Sequence, residues 1–369
     1  MKLPKIRFKG RNSRTEKFIK QIWKISTGKS NTQDQTEDWK YLFFIRSDIV
    51  VKSNKFLFNE EAVITIGDWN IWKVFHYING KYDLHQRCYK ISDFKDIFWK
   101  YFYYYFSTKF YKRAMSMTAK ATVDSVRLEM ISDMLIRFPS LPEQEKIRSL
   151  FEQLDSQITK NQQKLEKLKN MKQSFLQKLF PKAWARVPEL RFKGFVGAWE
   201  ERKIDNICNR FDNLRIPISA KNRIPGPVPY YWANGIQDYV DWYTHNWEFL
   251  LIAEDWANDL KNYPIQYVKW KIWVNNHAHV LQWKQELSNN MFLKYAIKHT
   301  NIESLLVWWW RAKLNASVLM WIPISLPSLP EQEKIWAFFE KLDTQIAHQS
   351  QKIQKIQNIK QSLLEKMFI

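Results

Sequence analysis

Three short stretches hold residue types that could do chemistry. ISTGKS at 25–30 ends like a phosphate-binding loop, in which a glycine-rich backbone cradles phosphates while a lysine reaches the terminal ones. The first glycine of that pattern would fall at position 23, which is Trp, and the polar NTQDQTED that follows is a poor helix. Lys29 and Ser30 are better read as a loop that meets a phosphate backbone. PEQEK, at 142–146 and again at 330–334, sets carboxylates beside a lysine in the manner of a nuclease, but it opens a helix and occurs twice, which makes its role structural. His277 and His279 stand two apart with no further ligands at metal-site spacing. No Asn-Pro-Pro-aromatic run of a methyltransferase occurs, and the sequence presents no active site.

A second class of chemistry is recognition. Arg pairs with guanine, and Asn or Gln with adenine, through two hydrogen bonds in the major groove. Candidates are Arg46, Ser47, Asp68, Asn70, His85, Gln86 and Arg87, and later in the chain Asn234, Gln237, Asn258, Asn275, Asn276, His277 and His279. Downstream of each group lies a basic stretch apt for phosphates. These are KFYKRAMSMTAKAT (109–122), with Lys109, Lys112, Arg113 and Lys120, and RAKLNAS (311–317), with Arg311, Lys313 and Asn315. Any one such cluster also fits an ordinary solvated loop.

Charge favours recognition. The chain has 58 Lys and Arg against 37 Asp and Glu, a net +21, so its economical partner is a polyanion such as double-stranded DNA. A solvated surface or anionic lipid are the alternatives. No apolar run approaches the roughly 18–20 residues of a spanning helix, which disfavours a membrane, and MKLPKIRFKG lacks the apolar core of a signal peptide. With Cys88 and Cys208 as the only cysteines, neither a disulfide framework nor a Cys-rich zinc site is available. The chain reads as cytoplasmic and reduced.

The elements that must position these residues are duplicated. LPEQEKI occurs at 141–147 and at 329–335, and the match continues without a gap through 151–180 and 339–368. More loosely, LPKIRFKG (3–10) resembles VPELRFKG (187–194), and FFIRSDIV (43–50) can be laid on YYWANGIQDYV (230–240). The unit is a variable block of about 140 residues followed by a nearly constant segment of roughly 40. Each constant segment opens with a capping-box pattern, Ser140 with Glu143 and Ser328 with Glu331, around a first-turn proline. Apolar residues then recur at 3,4 spacing: Ile147, Phe151, Leu154, Ile158, Leu165, Leu168, Phe175 and Leu179, matched by Ile335, Phe339, Leu342, Ile346, Ile353, Ile356, Leu363 and Met367. That is a coiled-coil seam, interrupted at matching places by Asn161 and Lys172, and by Gln349 and Lys360. About 38 helical residues make a rod of roughly 57 Å. A plain dimerisation coiled coil would explain the rods alone but not the blocks, whose aromatic and β-branched runs read as mixed α/β with much strand.

The chain has 19 Trp and 8 Gly, the reverse of the usual order. Many Trp sit where a turn asks for Gly, as in GDWNIWK (67–73), EDWAND (254–259) and VKWKIW (268–273). Only Gly freely takes positive φ. These indoles either form surfaces that stack bases or replace glycines in this chain, and their concentration in turns favours the second.

The twice-occurring SLPEQEKI…F…LD…I…K segment, each copy after a variable block and a basic AK stretch, resembles the specificity subunit of type I restriction-modification enzymes. The resemblance covers essentially the whole chain. It implies an α+β fold with two pseudo-two-fold-related mixed α/β target recognition domains, 1–138 and 183–326. These are joined by long helices, 139–182 and 327–369, that form an antiparallel coiled coil. It implies that each domain reads half of a bipartite DNA target. The rods would dock two methyltransferase subunits, with two restriction subunits as further partners. It also implies no cofactor on this chain, with S-adenosylmethionine, ATP and Mg²⁺ used by those partners. In that family Gly tends to flank the Asp of the turn at Gly67–Asp68 and its counterpart at Asp255, where this chain has Trp69, Trp72 and Trp256. The alternatives are a coiled-coil scaffold with only non-specific nucleic-acid affinity and a P-loop nucleotide-binding enzyme.

Overall fold

A computed structural model describes residues 14–36, 40–68, 74–117, 125–182, 185–284, 286–308 and 312–368. The chain is α+β and divides into two compact units. The first comprises Met1–Gln162 with Gln351–Ile369, and the second Gln163–Ser350. Both rods, Leu141–Lys178 and Leu329–Met367, therefore contribute one half to each unit.

In the first unit the variable block is closed at its base by an antiparallel pair, Thr15–Phe18 with Leu135–Phe138. Inside that closure lies a six-stranded sheet in the order Lys24–Thr27, Cys88–Ser92, Phe58–Ile66, Phe75–Leu84, Tyr41–Phe44, Val50–Ser53. AVITI (62–66) is buried along its whole length, as an apolar run covered on both faces should be. One cover is the helix Trp99–Ser116, which turns Tyr101 inward with Phe102, Phe106 and Phe110 at four-residue spacing, Phe106 and Phe110 stacked 4.6 Å apart.

The second unit repeats this plan. Glu200–Lys203 pairs with Pro323–Leu326 at the base. FLLIA (249–253) is the fully buried central strand, and Asn290–His299 is the covering helix. The loose alignment of 43–50 on 230–240 is realised in the backbone, because Phe43 and Phe44 run parallel to Asp83 and Leu84 as Tyr230 and Tyr231 do to Trp273 and Val274.

The sheets nevertheless differ. The strand Phe75–Leu84 is continuous, whereas its counterpart is broken into Ile265–Val268 and Lys271–Val274, which lie in two separate four-stranded sheets. Counting from the paired ends places Trp270 opposite Gly80. Both have positive φ, +67° and +128°, and Trp256 has +56°. Trp270 and Trp256 thus occupy left-handed backbone, as the turn reading expects, while Trp69 and Trp72 lie outside the described residues. Not every Trp is of this kind, since Trp23 and Trp199 belong to the cores.

The rods meet antiparallel in each unit. Phe151 stacks on Phe368 in the first, and Phe175 meets Phe338 edge-on in the second. Every residue of the expected seam is buried or half-buried. The two lysines that interrupt it are paired across it, Lys360 with Asp155 and Lys172 with Asp343. The same carboxylates accept a hydroxyl from the covering helix of the block, Tyr104 at 2.7 Å and Tyr295 at 2.8 Å.

The start of each rod is pinned just as closely. Gln144 accepts from the Phe98 amide (3.0 Å) and donates to the Pro139 carbonyl (2.8 Å). Gln332 does the same with Asn289 (3.2 Å) and Pro327 (3.0 Å). Glu331, expected in a capping box, is held bidentately by Arg191 at 2.8 Å from each oxygen, so it ties the segment before the second block to the rod.

Two measurements follow from these contacts. Burial alone would raise the Asp343 carboxyl, but Lys172, Tyr295 and Lys294 outweigh it and hold it below the usual aspartate range. A depressed carboxyl contributes stability that is present above the unfolded value, about 4, and is lost as pH falls through the folded value. Asp343→Asn should cost about 1–3 kcal/mol at neutral pH and flatten the acid limb of a denaturant-midpoint against pH curve. Trp270→Gly should raise stability by on the order of 1 kcal/mol, since a left-handed non-glycine residue costs about 1–2 kcal/mol and the indole is 78% exposed, with little packing to lose. Thermal melting of the two chains side by side checks it.

Candidate nucleic-acid interface

The candidate residues gather where the central strand of each unit ends. In the first unit the Gly67 amide donates to the Arg87 carbonyl (2.7 Å), and the Val126 amide donates to the Gly67 carbonyl (2.7 Å). In the second, Glu254 donates to His277 (2.9 Å) and Leu314 to Glu254 (2.7 Å). One backbone clasp is thus built twice. The residue after it is Asp68 in one unit and Asp255 in the other, each in a lone antiparallel bridge, to Ser125 and to Lys313.

The side chains on this shared frame differ. Asp68 Oδ2 accepts from Arg87 Nη1 at 3.0 Å and from Arg46 Nη1 at 3.2 Å, with both guanidiniums exposed. Asp255 Oδ1 instead faces His277 Nδ1 at 2.6 Å. A carboxylate can only accept, so Nδ1 carries the proton.

Around Asp68 the structure sorts the remaining candidates of the first block. Lys29 and Gln86 are exposed, Gln86 donating to Asn31. Ser30 is not at the surface. Its hydroxyl donates to the buried Asp83 (2.8 Å), which also accepts from Ser53 (3.0 Å) and the Leu84 amide (2.9 Å). The glycine of GKS serves packing, because a Cβ at Gly28 would stand 1.9 Å from the Leu84 carbonyl oxygen. A short 3-10 turn, Thr32–Asp34, follows in place of a phosphate-loop helix. His85 is buried, with Nδ1 accepting from the Arg87 amide at 3.1 Å, and burial holds its pKa below the ordinary value. Ser47 is half-buried and donates to Asp48 (3.2 Å). On the covering helix Lys112 is exposed, while Arg113 is tied to the Asp133 carbonyl (2.9 Å). Lys109 is half-buried, its pKa lowered by burial and then by Lys112. Asn70 and Lys120 lie outside the described residues.

The second block corrects two expectations. Asn275 is buried and braced by the Tyr230 hydroxyl (3.1 Å) and the His277 amide (2.8 Å). His279 is buried between Asp212 and the Leu314 carbonyl, each at 2.8 Å. Both orient the frame and present nothing outward. Asn276 and Gln237 are exposed, Gln237 accepting from Arg223 at 3.3 Å. Asn234 and Asn258 are exposed too but hold each other's loop, Asn234 accepting from the Asn258 amide (3.0 Å) and donating to the Trp256 carbonyl (2.8 Å). Lys313 donates to Glu254 (2.9 Å), and Asn315 is half-buried at the start of the helix Ala316–Trp321. Arg311 lies outside the described residues.

One residue the sequence reading missed is Arg215, which binds Glu254 (2.7 Å) and the Ala278 carbonyl (2.9 Å). Its only signal was an arginine three residues after Asp212 in a polar loop. A solvent-facing aromatic edge also appears, with Trp242 stacked on Tyr243 at 5.4 Å and Lys271 4.9 Å from the Tyr243 ring. Burial pushes the Cys88 and Cys208 thiols up to about 12, so neither is a nucleophile at neutral pH. Among the described residues no group of three or more His, Cys, Asp or Glu could hold a metal, and no helix is long and apolar enough to cross a membrane. What the arrangement offers is a guanidinium pair at the surface of the first block and a half-buried imidazole in the second, each beside an acid.

Comparison with known proteins gives the family. The family model of the type I restriction modification DNA specificity domain matches residues 13–170 and again 197–358. A putative type I restriction enzyme specificity subunit of Haemophilus influenzae is 43% identical over 143 residues, which span 39% of this chain and 37% of that protein. The EcoDI specificity subunit of Escherichia coli is 22% identical over 94% of this chain and 86% of its own length. In fold, the chain is similar to the crystal structure of a type I restriction-modification S subunit from M. genitalium, with a TM-score of 0.72 at 16% identity, covering 100% of this chain and 99% of that one.

Glu254 holds two cations against its own block, Arg215 and Lys313. Glu254→Gln should cost about 1–3 kcal/mol in stability, and by freeing charge it should steepen the fall of polyanion affinity with salt. Titrating binding to a mixed-sequence duplex at several salt concentrations measures the slope.

Proposed function

The chain belongs to the type I restriction modification DNA specificity family, and from that premise we propose that it reads a bipartite, asymmetric DNA target and carries its partners to it. The blocks 1–138 and 183–326 each read one half-site. The segments 139–182 and 327–369 set the gap between the halves and dock two methyltransferase subunits, with restriction subunits as the further partners. The chain performs no chemistry. S-adenosylmethionine for adenine methylation, and ATP with Mg²⁺ for translocation and cleavage, are used by those partners.

The observation that carries this reading is one backbone frame with unlike side chains, Asp68 with Arg46 and Arg87 in the first block and Asp255 with His277 in the second. A scaffold without sequence preference has no need to diversify the residue at one point of a duplicated frame while keeping an acid beside it. The net charge of +21 supplies the sequence-independent attraction to phosphate on which such reading is superimposed.

The test is to co-express the chain with a type I methyltransferase subunit in a methylation-free host and to map adenine methylation across the genome. A split motif with two unrelated halves and a constant gap is expected. A co-purifying complex that methylates without sequence preference would reduce the chain to a scaffold.

A further inference from the structure

We propose that positions 87 and 277 are equivalent base-reading positions, and that Arg87, aimed by Asp68, requires a guanine in the first half-site. This rests on the DNA-reading function above and names what one position reads.

The equivalence comes from the backbone. Arg87 and His277 each accept the clasp amide, from Gly67 and Glu254, and each immediately precedes a residue in register with the end of the central strand, Cys88 opposite Ile66 and Ala278 opposite Ala253. The two residues stand at the same point of the same frame, beside the same acid.

What they present differs in kind. The Asp68 side chain is 13% exposed and that of Arg87 is 62% exposed, so a largely buried carboxylate fixes a guanidinium whose remaining donors face outward. Asp68 takes only Nη1, and Nε and Nη2 of Arg87 meet no acceptor among the described residues. A planar fork held from behind by a carboxylate fits O6 and N7 of guanine, the two adjacent acceptors of the major-groove edge. Arg46 shares the same oxygen and strengthens the bias toward guanine. Among the described residues, the second block sets no such fork at this point of the frame. Two residues beyond the paired strand positions Phe44 and Tyr231 stand Arg46 in one block and Ala233 in the other. His277 commits Nδ1 to Asp255 and is left with a single ring nitrogen. In the neutral ring that nitrogen is an acceptor, suited to the exocyclic amine of adenine or cytosine and not to O6 or N7 of guanine.

The experiment exchanges the two residues in the intact methyltransferase complex and reads the methylation motif. Arg87→His should abolish the requirement for guanine at one position of the first half-site, a loss of roughly tenfold or more in selectivity, and leave the second half unchanged. His277→Arg should create a guanine preference at one position of the second half-site. Arg87→Lys keeps the charge but not the fork. It should retain methylation while relaxing that same guanine, which preserves the test if the histidine variant folds poorly. A wild-type complex with a split motif whose every position survives both Arg87 variants overturns this assignment alone. A wild-type complex that yields no split motif removes the DNA-reading function and this inference with it.

Discussion

In each unit a single aspartate joins three elements that are far apart in the chain. Asp155 takes the Tyr104 hydroxyl from the covering helix of the block and Lys360 from the opposite rod. Asp343 takes Tyr295 and Lys172 in the same way. A half-buried carboxylate in a helical seam is unfavourable unless its charge is matched and its oxygens are occupied, and here both conditions are met by residues that fit only when block and rods are correctly seated. The apolar seam favours association of the helices. The aspartate decides the register at which they associate and the face they offer to the block, as polar residues at seam positions do.

Above that junction the design separates what must be constant from what can vary. Gln144 and Gln332, the base strands and the backbone clasp at Gly67 and Glu254 use main-chain partners or buried amides, which are indifferent to the surface side chains around them. The side chains set on the frame are under no such constraint. A guanidinium pair stands on one copy and an imidazole on the other, with an acid behind each.

Much of this was legible in the sequence because periodicity and duplication survive without coordinates. The 3,4 spacing of the seam, the start of each rod at Ser140 and Ser328, and the left-handed turn at Trp270 all follow from local rules. The interface was legible only as composition. Ser30, Asn275 and His279 carry the side chains of a binding surface yet point inward, because Asp83, Tyr230 and Asp212 wait for them there. Those partners lie 53, 45 and 67 residues away, beyond any local pattern. The breaking of the long strand of the first unit into two pieces in the second was likewise invisible until Gly80 and Trp270 could be set opposite each other.

Each rod carries both halves of the seam contact, an aspartate and, 17 residues on, a lysine: Asp155 and Lys172 in one, Asp343 and Lys360 in the other. One block with one rod is therefore complementary to a second copy of itself. In its ion pairs the joint is symmetric, and exchanging the two rods would leave it unchanged. Duplication keeps the joint the same while the blocks it carries differ in sequence. A block of different sequence could therefore meet the same joint, provided its covering helix kept the tyrosine, Tyr104 or Tyr295, whose hydroxyl the rod aspartate accepts.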